Sequence, residues 1–233
     1  MQGLSQAPAY HPPLYNRSEN RRQDFIKAID AIGNHKRCKR RQEICNGEEK
    51  LPSWYRLLCG AARRFTIHSD GRRQITGLIL PGDFFGFPNG KDQGWIIEAI
   101  CDGTAIVEYP PNRVEALAAS DLDIVHELFQ VVFQTISRLE EQVLTIGRAK
   151  ATEKVALFVL HIAEHPSLSS APVLTLPLSR YDIADYLAIS PETVCRCFTD
   201  LKNAGFIKLS GPRQLMIVNR QALEELASAE IRG

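Results

Sequence analysis

The sequence lacks any long hydrophobic run. No apolar stretch approaches the ~20 residues that a membrane-spanning helix requires. The N-terminus also lacks the charged-then-apolar order of a signal peptide. Neither a membrane partner nor secretion is indicated, and we expect a cytoplasmic protein.

A regular cysteine framework is also missing. The 6 Cys of the chain show no repeated spacing, and a chain of 233 residues is long enough to bury its own core without cross-links. Free thiols in a reducing compartment are the favoured interpretation, with disulfides as the minority alternative.

Spacings typical of enzymes are absent as well. The sequence shows no Ser-His-Asp arrangement, no metal-ligand spacing and no phosphate-binding loop. We therefore predict no catalytic residue, no metal and no cofactor.

What is present is an ordinary globular composition with segregated charge. Apolar residues make up 44% and charged residues 24% of the chain, and its length favours two domains. Residues 16–73 carry 15 Lys or Arg against 7 Asp or Glu, whereas residues 74–177 carry 6 against 13. This asymmetry indicates either a polyanionic partner or contacts between domains. The basic run at 36–41 is interpreted as a solvated face rather than a primary nucleic-acid site.

One long helix organises the chain, over residues 120–149. Its apolar residues recur at alternating steps of three and four, which is typical of a narrow seam along one side of a helix. Ser120, followed by Asp121 and Asp123, predicts the helix start near 120. The seam favours a dimer interface, with an ordinary core helix as the alternative. Its members are Leu122, Val125, Phe129, Val132, Ile136, Leu139, Val143 and Ile146.

Short alternating runs separated by glycine turns precede this helix. Residues 1–18 are predicted to be a flexible arm, and a helix is expected from Glu19 to Ile32. The segment 19–119 is predicted to be an antiparallel β domain. Its expected strands cover residues 54–59, 61–68, 74–80, 95–100 and 104–109, with turns at 69–71 and 81–83.

The segment 150–233 predicts a winged helix-turn-helix. Ser179 is a capping residue for one short helix, and the sequence Ser190-Pro191-Glu192 has the features of a second helix start. Gly205 ends the second helix, and residues 206–218 read as a hairpin that forms the wing.

Residues 58–62, 69–72 and 80–86 resemble the β-roll of the CRP/FNR superfamily of bacterial transcription regulators. The resemblance implies an α+β fold: an N-terminal antiparallel β-roll like a cyclic-nucleotide-binding domain, a long dimerisation helix and a C-terminal winged helix-turn-helix. Nucleotide-binding members carry a Glu after the Gly of the turn and an Arg shortly afterwards. This chain has Phe87 at the first place and Glu98-Ala99 near the second. An acidic or apolar residue cannot neutralise a phosphate, so binding of cyclic AMP is not expected.

Residues 182–196 resemble the DNA-binding domain of the same family very closely. The resemblance implies that Glu192 accepts a hydrogen bond from a cytosine amino group and that Arg196 reads a guanine edge. It places Cys195 where many members have Ser or Gly, against a thymine methyl group. The candidates for phosphate contacts are Thr193, Ser179, Arg180, Thr199 and, more weakly, Arg213.

These features together are similar to the FixK-like, FNR-type subgroup. The resemblance implies a homodimer that binds a TTGA-type inverted repeat of double-stranded DNA and recruits RNA polymerase, in control of genes for low oxygen or redox change. The alternative is a regulator whose β-roll binds an effector such as haem, for which His68 or His126 would matter.

The cysteines give two further expectations. Cys38 and Cys45 are expected on opposite faces of one strand, which disfavours an iron–sulfur cluster with Cys59. Cys195 lies at a helix N-terminus beside Arg196, where a thiol pKa is expected to fall and oxidation would obstruct DNA. Redox control through Cys195, with Cys197 as a second candidate, is therefore a hypothesis. The alternative is that Cys195 is only a small residue in the groove.

Overall fold

The computed structural model describes residues 14–47, 53–86, 94–148, 150–168 and 172–228. Its first element is helix α1 (Leu14–Asp30). The expectation of a flexible arm over residues 1–18 and a helix start at Glu19 was therefore wrong in its boundary, while residues 1–13 lie outside the described part. Phe25 and Ile29 are fully buried, so packing of this apolar pair holds the helix to the body of the protein.

The strands of the N-terminal half form two antiparallel sheets of four strands each, which we call the β domain. One has the order β1-β8-β3-β6 and the other β2-β7-β4-β5. Their bounds are β1 (Asn34–Cys38), β2 (Glu43–Asn46), β3 (Trp54–Cys59), β4 (Ala62–Ile67), β5 (Arg73–Ile79), β6 (Phe84–Phe85), β7 (Trp95–Ala99) and β8 (Thr104–Tyr109). The antiparallel β architecture expected from the alternating runs is confirmed.

The two sheets enclose one apolar core that includes both Cys38 and Cys45. The prediction that these two thiols point to opposite faces of one strand was wrong, because they lie on separate strands, β1 and β2. The turn between the strands passes through Arg41 at φ 64. A left-handed arginine is uncommon, and neither Gly nor Pro marks this turn in the sequence.

The two predicted turns of the β domain are present. Gly71 lies at φ +82 and Gly82 at φ +98, a backbone region that suits glycine because it has no Cβ. The buried carboxylate of Asp83 accepts a hydrogen bond from the Leu80 N–H at 2.9 Å, which closes the second turn. Asp83 also bonds to Arg138 and His165, and therefore joins the turn to the helices that follow.

Two helices connect the β domain to the C-terminal half. Helix α2 (Pro111–Ser120) was not expected from the sequence, and helix α3 (Leu122–Ile146) is the long helix. The cap of α3 is Asp121, whose side chain accepts from the Asp123 N–H at 2.8 Å. The predicted helix start near 120 lies within two residues of the observed one, but the capping role of Ser120 was wrong, because its hydroxyl donates to the Leu117 carbonyl at the end of α2.

Helix α3 packs against the β domain and α1 through a face that is partly polar. Ile124 and Val131 are buried there, together with Glu127 and Gln142. The Glu127 carboxylate pairs with Arg22 of α1 at 3.4 Å, and Gln142 donates to the Ile75 carbonyl of β5 at 3.3 Å. These partners satisfy polar groups that would be costly to bury alone.

The C-terminal half is a winged helix-turn-helix, as the sequence predicted. Its elements are α4 (Ala151–Glu164), β9 (Leu174–Thr175), α5 (Arg180–Leu187), α6 (Pro191–Asn203), β10 (Ile207–Leu209), β11 (Gln214–Ile217) and α7 (Arg220–Ser228). The strands form an antiparallel sheet in the order β10-β11-β9. Phe65 and Ile75 of the β domain share a core with these helices, so the two halves pack together.

Across the described ranges, no helix combines the length and apolar character needed to cross a membrane.

Candidate nucleic-acid interface

The first helix of the helix-turn-helix, α5, begins with a reciprocal cap. The Ser179 hydroxyl accepts from the Asp182 N–H at 3.2 Å, and the Asp182 carboxylate accepts from the Ser179 N–H at 3.3 Å. Two of the unpaired N–H groups at the helix start are thereby satisfied. Ile183, Ala184 and Leu187 are buried on the inner side, as their spacing predicted.

Helix α6 follows after a short turn in which Ala188 adopts a left-handed conformation at φ 54. Ser190 caps α6 by accepting from the Thr193 N–H at 3.2 Å, and Pro191 occupies the first turn, where no N–H is needed. Val194, Phe198 and Leu201 form the buried face, as predicted. This packing fixes which residues of α6 point outward.

The outward face of α6 carries Glu192, Cys195, Arg196 and Thr199, and all four are exposed. Thr193 is half-buried beside the cap. The Thr199 hydroxyl donates to the Cys195 carbonyl at 3.0 Å. An α-helix with such a face fits the major groove of B-DNA, where side chains reach base edges.

Glu192 is held in its ionised form. Hydrogen bonds from its own backbone N–H and from the Ser190 hydroxyl lower the pKa of Glu192. An ionised carboxylate has only acceptor capacity, and this matches a cytosine amino group rather than a base acceptor.

Arg180, a predicted phosphate contact, packs on an aromatic ring of α6 in this structure. Its guanidinium stacks on the Phe198 ring with Cζ 3.3 Å from the ring centre. Burial lowers the pKa of Arg180, and the opposite charge of an ionised Cys195 counters part of that effect. One guanidinium nitrogen, Nη1, is buried without a hydrogen-bond partner among the described residues. In this conformation Arg180 packs against α6 through the Phe198 ring.

The remaining predicted phosphate contacts, Ser179 and Arg213, are both half-buried. The Arg213 carbonyl accepts from the Leu176 N–H at 2.7 Å and ties the wing to β9. Sequence reasoning missed Tyr181, which is 71% exposed in the first turn of α5 and has a hydroxyl suited to a phosphate oxygen. Its place directly after Arg180, outside the apolar period of α5, was the available signal.

The two cysteines of α6 differ sharply. Cys195 is exposed, whereas Cys197 is only 2% exposed inside the core of the helix-turn-helix. Burial raises the pKa of Cys197, which favours the unreactive thiol. The structure therefore argues against Cys197 as a redox residue and leaves Cys195 as the accessible thiol.

The apolar seam of α3 faces away from the β domain. Leu122, Phe129 and Val143 are 86%, 57% and 68% exposed. Ile136 and Leu139 are exposed as well, while Val125, Val132 and Ile146 are half-buried. Phe133 and Leu144, which sequence reasoning left out, extend this exposed face, and Phe133 stacks on Phe129 with the ring centres 6.4 Å apart. We call these ten residues the open face of α3.

Nothing in the described part gathers ligands for a metal. No group of three or more His, Cys, Asp or Glu side chains is arranged there to hold an ion. His68 and His126, the residues expected to matter for a haem-binding alternative, are both exposed. Phe87, which occupies the place of the nucleotide-binding Glu, lies outside the described residues. Glu98 is paired with Arg63.

Comparisons with known proteins agree with this geometry. Residues 153–226 match the model of the Crp-like helix-turn-helix domain. The nitrogen fixation regulation protein FixK of Azorhizobium caulinodans is 32% identical over 205 residues, which cover 87% of this chain and 82% of that protein. FixK of Rhizobium meliloti is 34% identical over 174 residues, covering 75% of this chain and 78% of that protein.

A solved structure extends the similarity to the whole fold. FixK2 from Bradyrhizobium japonicum superimposes with a TM-score of 0.77 and 34% sequence identity, covering 84% of this chain and 97% of that chain. Fold, helix-turn-helix and relatives agree, and the chain belongs to the CRP/FNR family of DNA-binding transcription regulators, among its FixK-like members.

Proposed function

We propose that this protein is a homodimeric transcription activator that acts in the cytoplasm on a TTGA-type inverted repeat. The exposed face of α6 is the observation that carries the proposal, because Glu192, Cys195 and Arg196 occupy adjacent outward positions while Val194, Phe198 and Leu201 are buried on the inner side. This face offers an acceptor for cytosine, a small side chain for a thymine methyl group and a bidentate donor for guanine.

The open face of α3 is the proposed interface of a two-fold symmetric dimer. A helix of 25 residues is about 37 Å long. Burial of its exposed Leu, Ile, Val and Phe side chains against a second copy is more favourable than their exposure to water, which favours a dimer. Two copies joined by a two-fold axis present two α6 helices to successive major grooves, which is how helix-turn-helix dimers read inverted repeats.

The remaining contacts position the dimer without specifying sequence. Ser179, Thr193, Thr199 and Arg213 lie near the ends of α5, α6 and the wing, and they are proposed to contact phosphates together with Tyr181. Arg180 would join them only by leaving the Phe198 ring. The bound dimer recruits RNA polymerase without cyclic AMP, in response to low oxygen or redox change. The FixK relatives, which are named as regulators of nitrogen fixation, support a role in gene control.

Fluorescence anisotropy with labelled duplexes tests the proposal. We expect nanomolar-range binding to a palindromic TTGA-type duplex, weaker binding to a scrambled duplex, and a steep fall of affinity with salt as phosphate contacts release counterions. Equal affinity for both duplexes at every salt concentration would contradict the proposal.

Redox control enters through Cys195. Peroxide transfers one oxygen atom to the ionised Sγ and leaves as water, which gives a sulfenate where base edges must approach. The added bulk and negative charge oppose DNA binding. The exposure of Cys195 supports this assignment.

A further inference from the structure

Helix α5 carries two carboxylates, those of Asp182 and Asp185, and both meet arginines of the β domain. The Arg63 guanidinium donates to Asp182, and Arg73 donates to Asp182 at 2.7 Å and to Asp185 at 2.8 Å. The Gln74 amide donates to the Asp185 backbone carbonyl at 2.5 Å. We call this set of residues the clasp.

The arginines of the clasp are held from behind by the β domain itself. Arg63 on β4 lies directly opposite Glu98 on β7, and its Nε donates to that carboxylate at 2.8 Å. The Arg73 guanidinium lies over the Phe65 ring at 5.7 Å. Fixed donors of this kind lose less conformational entropy on pairing than free surface arginines do.

The clasp is also shielded from water. The side chains of Arg63, Glu98 and Asp182 are all nearly buried, and Arg73 and Asp185 are about two-thirds buried. Buried charges need each other, because breaking such a pair leaves an uncompensated charge in a poor solvent. The shared apolar core beside the clasp makes the docking of α5 on β5 a packed interface rather than a chance contact.

Asp182 connects this interface to the DNA-binding surface. The same carboxylate that pairs with Arg63 and Arg73 caps α5 through the N–H and hydroxyl of Ser179. Helix α5 in turn carries α6 through the buried contacts of the turn, so fixing α5 fixes α6. The only covalent link from α3 to this half is the short segment 147–150.

We propose that Arg63 and Arg73 are positioning residues that lock the helix-turn-helix at one distance and angle from α3, and that this lock sets the half-site spacing the dimer accepts. The proposal rests on the proposed function, because spacing has meaning only for a dimer on an inverted repeat. Half-sites read by such dimers lie about 34 Å apart, and one added base pair turns a half-site by about 35° around the DNA axis. A helix-turn-helix held rigidly against the β domain loses affinity when the half-site turns, whereas a loosely tethered one can turn with it and keep its affinity.

The test measures affinity for TTGA-type inverted repeats whose spacers are lengthened or shortened by one and two base pairs. Arg73→Gln breaks the clasp at its more exposed end, where loss of folding is least expected. Arg72→Gln is the matched control, since it removes the same charge from the neighbouring residue. The Arg72 side chain is 82% exposed and, among the residues that the structure describes, its ion pair is with Asp70 of its own hairpin.

Wild type and Arg72→Gln are expected to bind one spacer best and to lose affinity steeply on either side. Arg73→Gln is expected to reduce the ratio between the best and the altered spacers by about three- to fivefold, the scale of a partly exposed ion pair. Asp185→Asn should give a smaller change of the same kind, because it breaks only one of the two pairs that Arg73 makes, and the double variant should add little to Arg73→Gln. A spacer profile for Arg73→Gln that matches Arg72→Gln overturns the proposal, as does tighter binding with an unchanged ratio.

Hydrogen exchange of the DNA-free protein provides the arm that does not depend on an operator. Peptides from β5 and α5 should exchange faster in Arg73→Gln and Asp185→Asn than in wild type or Arg72→Gln. If wild type prefers no inverted repeat over scrambled DNA, the proposed function is contradicted. The exchange result then tests on its own whether the clasp holds α5 against β5. Identical exchange in all four proteins refutes it.

Discussion

Helices α3 and α4 are neighbours in the chain, but they differ in how far their apolar side chains are exposed. On α4, Val155, Phe158 and Ile162 are almost completely buried within the C-terminal half. On α3, Leu122, Phe129 and Val143 lie in the open, while Glu127 and Gln142 face inward. Helical periodicity therefore predicts which face of a helix will be buried, but not whether the same chain or a partner buries it.

Helix α6 combines both situations on one element. Its inner face, with Val194 and Phe198, is closed by the chain, and its outer face, with Glu192 and Arg196, is left open. The closed faces determine stability, whereas the open faces are proposed to bind partners: the apolar one on α3 a second copy, and the polar one on α6 DNA.

The closed face of α4 gives the largest expected effect. Phe158 is fully buried and its ring centre lies 5.6 Å from that of Tyr186. Phe158→Ala should lower the free energy of unfolding by about 3–5 kcal/mol, because it removes apolar contacts and leaves a cavity. Urea unfolding followed by fluorescence measures the loss, and a loss below about 1 kcal/mol would show that this face is not closed as described.

A substitution on the open face of α3 should weaken the dimer and leave the stability of the fold unchanged. Ile136→Glu should leave folding intact but weaken the dimer at least about 100-fold, since each dimer loses two apolar side chains worth roughly 1.5 kcal/mol each. Sedimentation equilibrium measures the dimer dissociation constant. Gln134→Glu is the matched control, because it places the same side chain on an exposed position of α3 outside the open face. Equal dissociation constants for the two variants would rule out this face as the interface.

The polar open face of α6 should affect DNA binding and nothing else. Arg196→Ala is expected to weaken binding to the matched duplex by about 1–3 kcal/mol and to relax the preference for guanine. Lys202→Ala, which removes a positive charge from the last turn of the same helix, should change binding less and leave base preference unchanged. Anisotropy titrations with guanine-substituted duplexes make the comparison, and an unaltered base preference in Arg196→Ala would remove its assigned role.

Oxidation of Cys195 gives the smallest predicted effect, since it alters one small side chain of the α6 face and leaves Glu192 and Arg196 in place. Peroxide should lower operator affinity several-fold in wild type and in Cys59→Ser, which removes an exposed thiol from the β domain. Cys195→Ser should keep its affinity under the same treatment. A loss of equal size in Cys195→Ser would place the sensitive group elsewhere.

Elements with strong local signals could be predicted from the sequence. Helices α5 and α6 each begin with a capping serine, and the glycines at 71 and 82 mark turns that require positive φ. Helix α2 was missed because its N-cap, Pro110, makes no side-chain hydrogen bond and Val114 is its single buried residue, which leaves no apolar period. Helix α7 was missed for a similar reason, since Leu223 and Ala227 are its buried residues.

Contacts between distant segments left no local signal. Arg63 and Asp182 are 119 positions apart, so no spacing rule connects them. The asymmetric charge of residues 16–73 was open to a reading as domain contacts, and Arg63 and Arg73 make such contacts, but the sequence could not single them out. The stacking of Arg180 on Phe198 likewise depends on the crossing of α5 and α6.

The stoichiometry of the protein on its operator tests the central claim most directly. The claim is that two copies, joined along the open face of α3, present paired α6 helices to one inverted repeat. Sedimentation velocity with a labelled TTGA-type duplex should show two chains per duplex, a complex that Ile136→Glu weakens and Gln134→Glu does not. A complex of one chain per duplex, bound as tightly to a scrambled sequence, would contradict the account.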